Sequence, residues 1–208
     1  MRIFEIVKTI QGEGTHAGRP CHLIRFAGCN LRCAYCDTPA ALPMDAGEQM
    51  SLDQVVDAVD VDACKLALIT GGEPLVQADD CRDLCDVLHE RGFEVLLETN
   101  GSLDWQPMDA RVVKIVDVKT PSSGEVDRNR ADLLTILTDR DEIKFVLGDE
   151  ADYRWACQFV AANRDAWEAQ ILFGPVDTLA AAELAGWILR DDIAVRLQIQ
   201  LHKILRLP

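Results

Sequence analysis

Residues 29–38 read Cys29-Asn30-Leu31-Arg32-Cys33-Ala34-Tyr35-Cys36-Asp37-Thr38, directly behind the run Pro20-Cys21-His22-Leu23-Ile24-Arg25-Phe26-Ala27-Gly28. Three cysteines spaced C-x3-C-x2-C on one short loop can ligate three irons of a [4Fe–4S] cube. A cluster that only transfers electrons uses four thiolates. A loop with three, and no fourth thiolate nearby, leaves one iron open to a substrate or cofactor. The alternative is a structural zinc loop, because zinc also takes short cysteine spacings and normally closes with four ligands. His16 or His22 could supply the fourth. C-x3-C-x2-C is an unusual zinc spacing, so the iron–sulfur reading is preferred.

Outward from this loop the chain alternates between strands and helices. Cys21–Ala27 reads as a strand with Cys21, Leu23 and Arg25 on one face by period two. Before it, Arg2–Thr9 alternates as a strand and Gln11-Gly12-Glu13-Gly14 breaks it, two glycines marking a tight loop that a ligand can approach. After it, Ser51-Leu52-Asp53-Gln54 opens a helix with a capping box, running to about Ala63. Leu66–Thr70 is an apolar strand ending in Gly71-Gly72-Glu73-Pro74. Asp79–Glu90 is a helix stopped by Gly92. Glu94–Glu98 and Val112–Val118 read as buried parallel strands, Arg128–Thr138 as a helix, Glu142–Leu147 as a strand and Asp149–Asn163 as a helix. Ile171–Phe173 is a short strand ending in Gly174-Pro175, Thr178–Arg190 a helix capped by Asp177, and Val195–Leu201 a last strand.

Repeated β-α units with short loops predict a parallel sheet. The polar motifs fall at the C-terminal ends of the strands, which form one catalytic face in a β/α barrel. An open doubly wound sheet would gather ligands at a switch point instead. With about six units, an α/β fold built as an incomplete barrel of parallel strands fits better than a full eight-unit one. The 208 residues are expected to form a single domain, 1–208.

The net charge of −14, Asp+Glu 35 against Lys+Arg 21, disfavours a nucleic-acid partner bound through a basic face. No stretch approaches the roughly 20 apolar residues needed to span a bilayer, and the start at Met1-Arg2-Ile3 has no signal-peptide character. A cytoplasmic protein without membrane partners is expected, and its eight cysteines are expected as thiols and cluster ligands.

The cysteine loop, with Gly71-Gly72-Glu73-Pro74 after the next strand, resembles the radical S-adenosylmethionine (SAM) enzymes. In that family the open iron is chelated by SAM's amine and carboxylate, and one electron releases a 5′-deoxyadenosyl radical. The resemblance implies a reduced radical SAM core and an electron donor such as flavodoxin or ferredoxin. Thr9-Ile10-Gln11-Gly12-Glu13-Gly14, Cys36-Asp37-Thr38 and Gln200-Leu201-His202-Lys203 narrow it, over the whole chain, to the 7-carboxy-7-deazaguanine synthase family. Members are lyases of the queuosine (7-deazapurine) pathway. They contract the ring of 6-carboxy-5,6,7,8-tetrahydropterin with loss of ammonia, depend on Mg²⁺, and are typically homodimers.

Carried onto matching positions, the family pattern implies these roles. Cys29, Cys33 and Cys36 would hold the cluster, and Tyr35, Cys36 and Asp37 would border SAM, with Tyr35 against adenine. Gly72 and Glu73 would receive SAM's ammonium, Asp117, Val118 and Lys119 its ribose and carboxylate, and Gly174 and Pro175 would approach its adenine. Ile10, Gln11, Gly12 and Glu13 would line the pterin, and Thr70 and His202 would touch it. Arg25 would pair with the substrate carboxylate, where a planar fork fits, although a surface ion pair is its ordinary use. Thr38 would offer its hydroxyl to Mg²⁺, and would otherwise be a helix cap. The α-carboxylate of Pro208 would meet the pterin's paired N–H donors. Cys64, Cys81, Cys85 and Cys157 are expected to be packing residues, and Cys21 carries no assigned role. The nearest rival is a small radical SAM activase that installs a glycyl radical on a partner protein. It shares the cysteine loop but has no need of the Gln11–Gly14 pocket.

Overall fold

In the computed structural model, which describes residues 1–59 and 64–207, β1 (Arg2–Ile10) and β2 (Pro20–Phe26) pair antiparallel as a hairpin. The two-residue β3 (Glu48–Gln49) adds to the outer edge of β1. Then follow α1 (Leu52–Ala58), β4 (Leu66–Gly71), α2 (Ala78–Glu90), β5 (Glu94–Thr99), β6 (Val113–Val118), β7 (Glu142–Leu147) and α3 (Glu150–Asn163). β8 (Gln170–Pro175), α4 (Ala181–Asp191), β9 (Arg196–Leu197) and α5 (Leu201–Leu205) complete the chain. Among the described residues the strands form one sheet of order β3-β1-β2-β4-β5-β6-β7-β8-β9. Every neighbouring pair from β2 to β9 is parallel. β2, β4, β5, β6, β7 and β8 are thus the six full strands of an unclosed β/α barrel, with the short β9 at one edge. No helix among the described residues is long and apolar enough to cross a membrane.

Strand periodicity sorts the side chains. Residues such as Ile24, Ile69, Val95, Val116 and Phe145 face outward into the core beneath the helices. On the inner face, Cys21, Leu23, Leu66, Leu68, Leu96, Val113 and Ile115 form a separate apolar plug. Two residues further along each strand the inner face turns polar: Arg25 after Leu23, Thr70 after Leu68, Glu98 after Leu96, Asp117 after Ile115. Period two alone stacks these groups at one level.

Several expected elements differ. α1 has its capping box, Ser51 Oγ accepting from the Gln54 amide at 3.2 Å, but ends at Ala58; the rest of the span to Ala63 falls mostly on residues outside the described ones. The segment expected as a helix at 128–138 is two 3-10 turns, Val126–Arg128 and Ala131–Ile136. Asn129 interrupts it, because its side chain bonds both the amide and the carbonyl of Lys119 at 2.8 Å. Asp177 does not cap α4, which starts at Ala181; its carboxylate takes the Lys203 ammonium at 2.7 Å. The last strand shrinks to Arg196–Leu197 because the chain beyond turns inward, its Gln198 and Gln200 side chains bonding the hairpin loop.

Candidate active site

At the C-terminal ends of the strands lies a cavity of ≈ 580 Å³, within the range of small-molecule sites. The three loop cysteines, Tyr35, Asp37 and Thr38 line it together with Ile10, Gln11, Gly12 and Glu13 of the hairpin loop. Arg25, Thr70, Gly72, Glu98, Asp117, Lys119, Lys144 and His202 also face it.

The cysteine loop is held by backbone contacts together with its own polar side chains, Asn30 Nδ2 donating to Ser102 Oγ at 2.8 Å and Arg32 Nη1 to Leu31 O at 2.7 Å. Gly28, at φ +89°, donates to Ala41 O at 2.8 Å, and the Cys29 amide donates to Leu42 O at 3.1 Å. A Cβ on Gly72 would lie 2.2 Å from Gly28 O, so only glycine lets the β4 end pack against this loop. The Glu73 amide closes the contact by donating to Gly28 O at 2.8 Å. Cys29 Sγ receives the Leu31 amide at 3.4 Å and Asn100 Nδ2 at 3.8 Å. Burial pushes the Cys29 and Cys33 thiols up, while Lys119 draws them back toward the thiolate.

Three free thiols on one cavity wall, with N–H donors aimed at one sulfur and an ammonium nearby, fit a cluster with an open iron. Neither His16 nor His22, one of which would have to close a zinc site, lines this cavity. His16 bonds Glu94 at 3.1 Å, and the His22 ring packs edge-on against Phe93.

Tyr35 is tethered through its hydroxyl to Thr120 Oγ1 at 3.1 Å and Val146 O at 3.3 Å. Burial and the nearby Asp117 push its phenol up to about 12, so it is neutral. Arg25 Nε binds Glu5 Oε1 at 2.7 Å across the hairpin, and its Nη1 donates to Thr38 Oγ1 at 3.4 Å. Thr38 also donates to Asp37 at 3.1 Å. An oxygen pair and a guanidinium thus share one corner of the cavity.

A second charged centre joins the expected Glu13, Asp117 and Lys119 to two residues that the sequence reading did not assign, Lys144 and Glu98. Lys144 reaches Glu13 Oε2 at 2.8 Å, contacts Glu98 Oε1, and stands 3.9 Å from Asp117. Asp117 itself pairs with Lys119 at 3.0 Å. Burial works against ionising Glu13, but Lys144 and Gln200 outweigh it and hold the carboxyl down at about 2. The available signal was a lysine on the inner face of an apolar strand, since lysine is almost never buried unpaired.

The C-terminal segment straps the hairpin loop down. The Leu201 amide donates to Gly12 O at 2.9 Å, and Gln198 and Gln200 each donate to Glu13 at 2.7 Å. A Cβ on Gly12 would sit 2.1 Å from His202 Nδ1, so that glycine admits the tail's histidine.

Four expected contacts do not face the cavity. Glu73 is fully buried and accepts from the Leu75 amide (3.0 Å), Thr99 Oγ1 (2.8 Å) and the Asn100 amide (2.6 Å). It braces the strand ends, with no oxygen offered to SAM's ammonium. Val118 points outward into the core by strand alternation. Gly174 is covered by Gln198, whose Cγ would lie 3.2 Å from a Cβ there, and Pro175 stays off the wall while Val176 reaches it. Pro208 lies outside the described residues.

The hairpin loop is also anchored from below. His16 bridges Glu94 (3.1 Å) and Glu142 (3.8 Å), and Thr15's amide binds Glu142 at 2.8 Å. The bond to Glu142 raises His16 above its usual 6.5, despite burial, with Glu94 helping. Its contribution is complete below 6.5, the unfolded value, and is lost as pH rises through the higher folded value. Arg19 and His16 lower Glu94 against partial burial; for Glu142, burial is outweighed by His16 and Thr15. These contributions exist above the ordinary 4.5 and vanish as pH falls through the lower folded values. The expected result is a melting temperature that falls as pH rises above 6.5. His16→Gln should flatten that limb; an unchanged limb would show that the bridge carries no net linkage.

Residues 23–119 match the Radical SAM superfamily, and the fold and cysteine-lined cavity accordingly define a radical SAM enzyme. The chain is 41% identical over 98% of its length to the 7-carboxy-7-deazaguanine synthase of Chlorobaculum tepidum, covering 93% of that protein. It is 37% identical to that of Methanospirillum hungatei, over 100% of this chain and 86% of the relative. It belongs to the 7-carboxy-7-deazaguanine synthase family. The crystal structure of QueE from Escherichia coli has the same fold, with a TM-score of 0.76 over 97% of this chain and 94% of that one at 24% identity.

Proposed function

We propose that this chain, acting as one domain over residues 1–208, is a carbon–nitrogen lyase. It would contract the ring of 6-carboxy-5,6,7,8-tetrahydropterin to 7-carboxy-7-deazaguanine, with loss of ammonia, in 7-deazapurine (queuosine) biosynthesis. The supporting observation is that one cavity is lined both by Cys29, Cys33 and Cys36 and by Gln11, Gly12 and Glu13. When bound, the cluster and SAM supply a radical able to abstract hydrogen. Gly72, Asp117, Lys119 and Tyr35 would border SAM. Arg25 would take the substrate carboxylate through the guanidinium nitrogens that Glu5 leaves free. Thr38, beside Asp37, would give Mg²⁺ one oxygen, leaving its other positions to water and substrate. Ile10, Gln11, Gly12, Thr70 and His202 would enclose the pterin and exclude water. An electron donor such as flavodoxin or ferredoxin, a homodimer and a cytoplasmic location complete the reading.

Mass spectrometry of one anaerobic reaction tests it, with reconstituted, reduced protein, SAM, Mg²⁺ and the carboxytetrahydropterin. A 7-carboxy-7-deazaguanine mass supports the proposal, and 5′-deoxyadenosine without that product sinks the substrate assignment.

A further inference from the structure

We propose that Lys144 is a positioning residue of this reaction: its ammonium fixes Glu98 as the carboxylate acceptor against which the ring N–H groups of the pterin are seated. The inference rests on the substrate reading above and deepens it.

Lys144 projects from β7 to the inner face with its side chain only 4% exposed. The groups facing it come from each element around it: Glu13 from the hairpin loop, Glu98 from β5 and Asp117 from β6. Lys119 stands behind Asp117, and the tail's His202 acts on Glu13. Their commitments differ. Asp117 has Lys119 as its nearest cation, and Glu13 has both oxygens occupied by Lys144, Gln198 and Gln200. Among the described residues Glu98 accepts only from Lys144 and, at 3.1 Å, from Thr70, and its side chain is 23% exposed. A carboxylate has about four acceptor sites, so Glu98 keeps capacity directed into the cavity.

Polarity across the barrel then follows. Arg25 sits on β2 and Lys144 on β7, with β4, β5 and β6 between them in the sheet. A substrate with a carboxylate at one end and N–H donors at the other fits this span in one direction only. Its anionic end meets Arg25, and its donors meet Glu98. Without the ammonium, two carboxylates in a buried site would share a proton rather than both stay ionised, and the acceptor edge would be lost.

The test is equilibrium dialysis of 6-carboxypterin, a stable oxidised analogue, against holoenzyme with SAM, between about pH 6 and about pH 9. The unchanged protein should bind with little pH dependence. Lys144→Met should bind about tenfold more weakly near neutrality, the effect of a buried carboxylate midpoint raised about one unit above the assay pH, and recover as pH rises and the acids ionise. Ethylammonium should partly restore binding by Lys144→Ala, while SAM affinity stays unchanged in both variants. Wild-type affinity and profile in Lys144→Met would overturn the proposal. So would a pH-independent loss that ethylammonium cannot mend, which is the mark of a purely structural brace. Should Lys144→Met not fold, Glu98→Gln carries the test, since unchanged affinity there would also overturn the proposal. Failure of the unchanged protein to bind 6-carboxypterin would instead overturn the substrate reading, and the Lys144 role with it.

Discussion

Cys33→Ala is expected to yield a folded, colourless protein without measurable turnover. The loop that carries Cys33 is shaped by Gly28, Ala41, Leu42 and Ser123 backbone contacts, none of which involves the thiol. The side chain is only half-buried, so in cluster-free protein its loss should change stability by roughly 1 kcal/mol or less. Two thiolates cannot anchor three irons, however, and no other thiol faces the cavity. Iron analysis, visible absorption and 5′-deoxyadenosine formation check this after anaerobic reconstitution. Full iron content with retained turnover would mean that the C-x3-C-x2-C loop is not the cluster site. Cys29→Ala and Cys36→Ala should behave alike.

Glu73→Ala is expected to damage the fold before it damages SAM binding. Its carboxylate satisfies three donors on two different segments, and the side chain is fully buried. Burial pushes its carboxyl above the usual range even though the Asn100 and Leu75 amides and Thr99 all favour the ionised form. Orphaning those three donors costs about 1–3 kcal/mol each, a sum of roughly 3–9 kcal/mol where water does not replace the carboxylate. Asn100 would be released in turn, and with it the side-chain donor to Cys29. Chemical denaturation of Glu73→Ala against the unchanged protein measures the loss. Unchanged stability with weakened SAM affinity would return Glu73 to the role its motif suggested.

Glu73 illustrates where the sequence ran short. Gly71-Gly72-Glu73-Pro74 identifies a turn packed on the cysteine loop, but no local pattern says which way the glutamate points. That depended on Thr99 and Asn100, 26 and 27 residues away. The pairing of Lys144 and Gln200 with Glu13 was illegible for the same reason, since Glu13 lies 131 and 187 residues distant from them. Asp177 had the residue type of a helix cap, yet the nearby Lys203 ammonium took it.

The sequence by itself determined the strand–helix alternation, the polar ends of the strands and the three-thiolate loop. Those features are encoded in periods of two and of 3.6, in glycines and in short spacings, all within a few residues of one another. Only the tertiary structure decided which carboxylates share an ammonium, which glycine admits His202, and which motif residues brace the walls rather than face the cavity. Those outcomes depend on distances between residues far apart in the chain, and such distances exist only once the sheet has curled into a barrel.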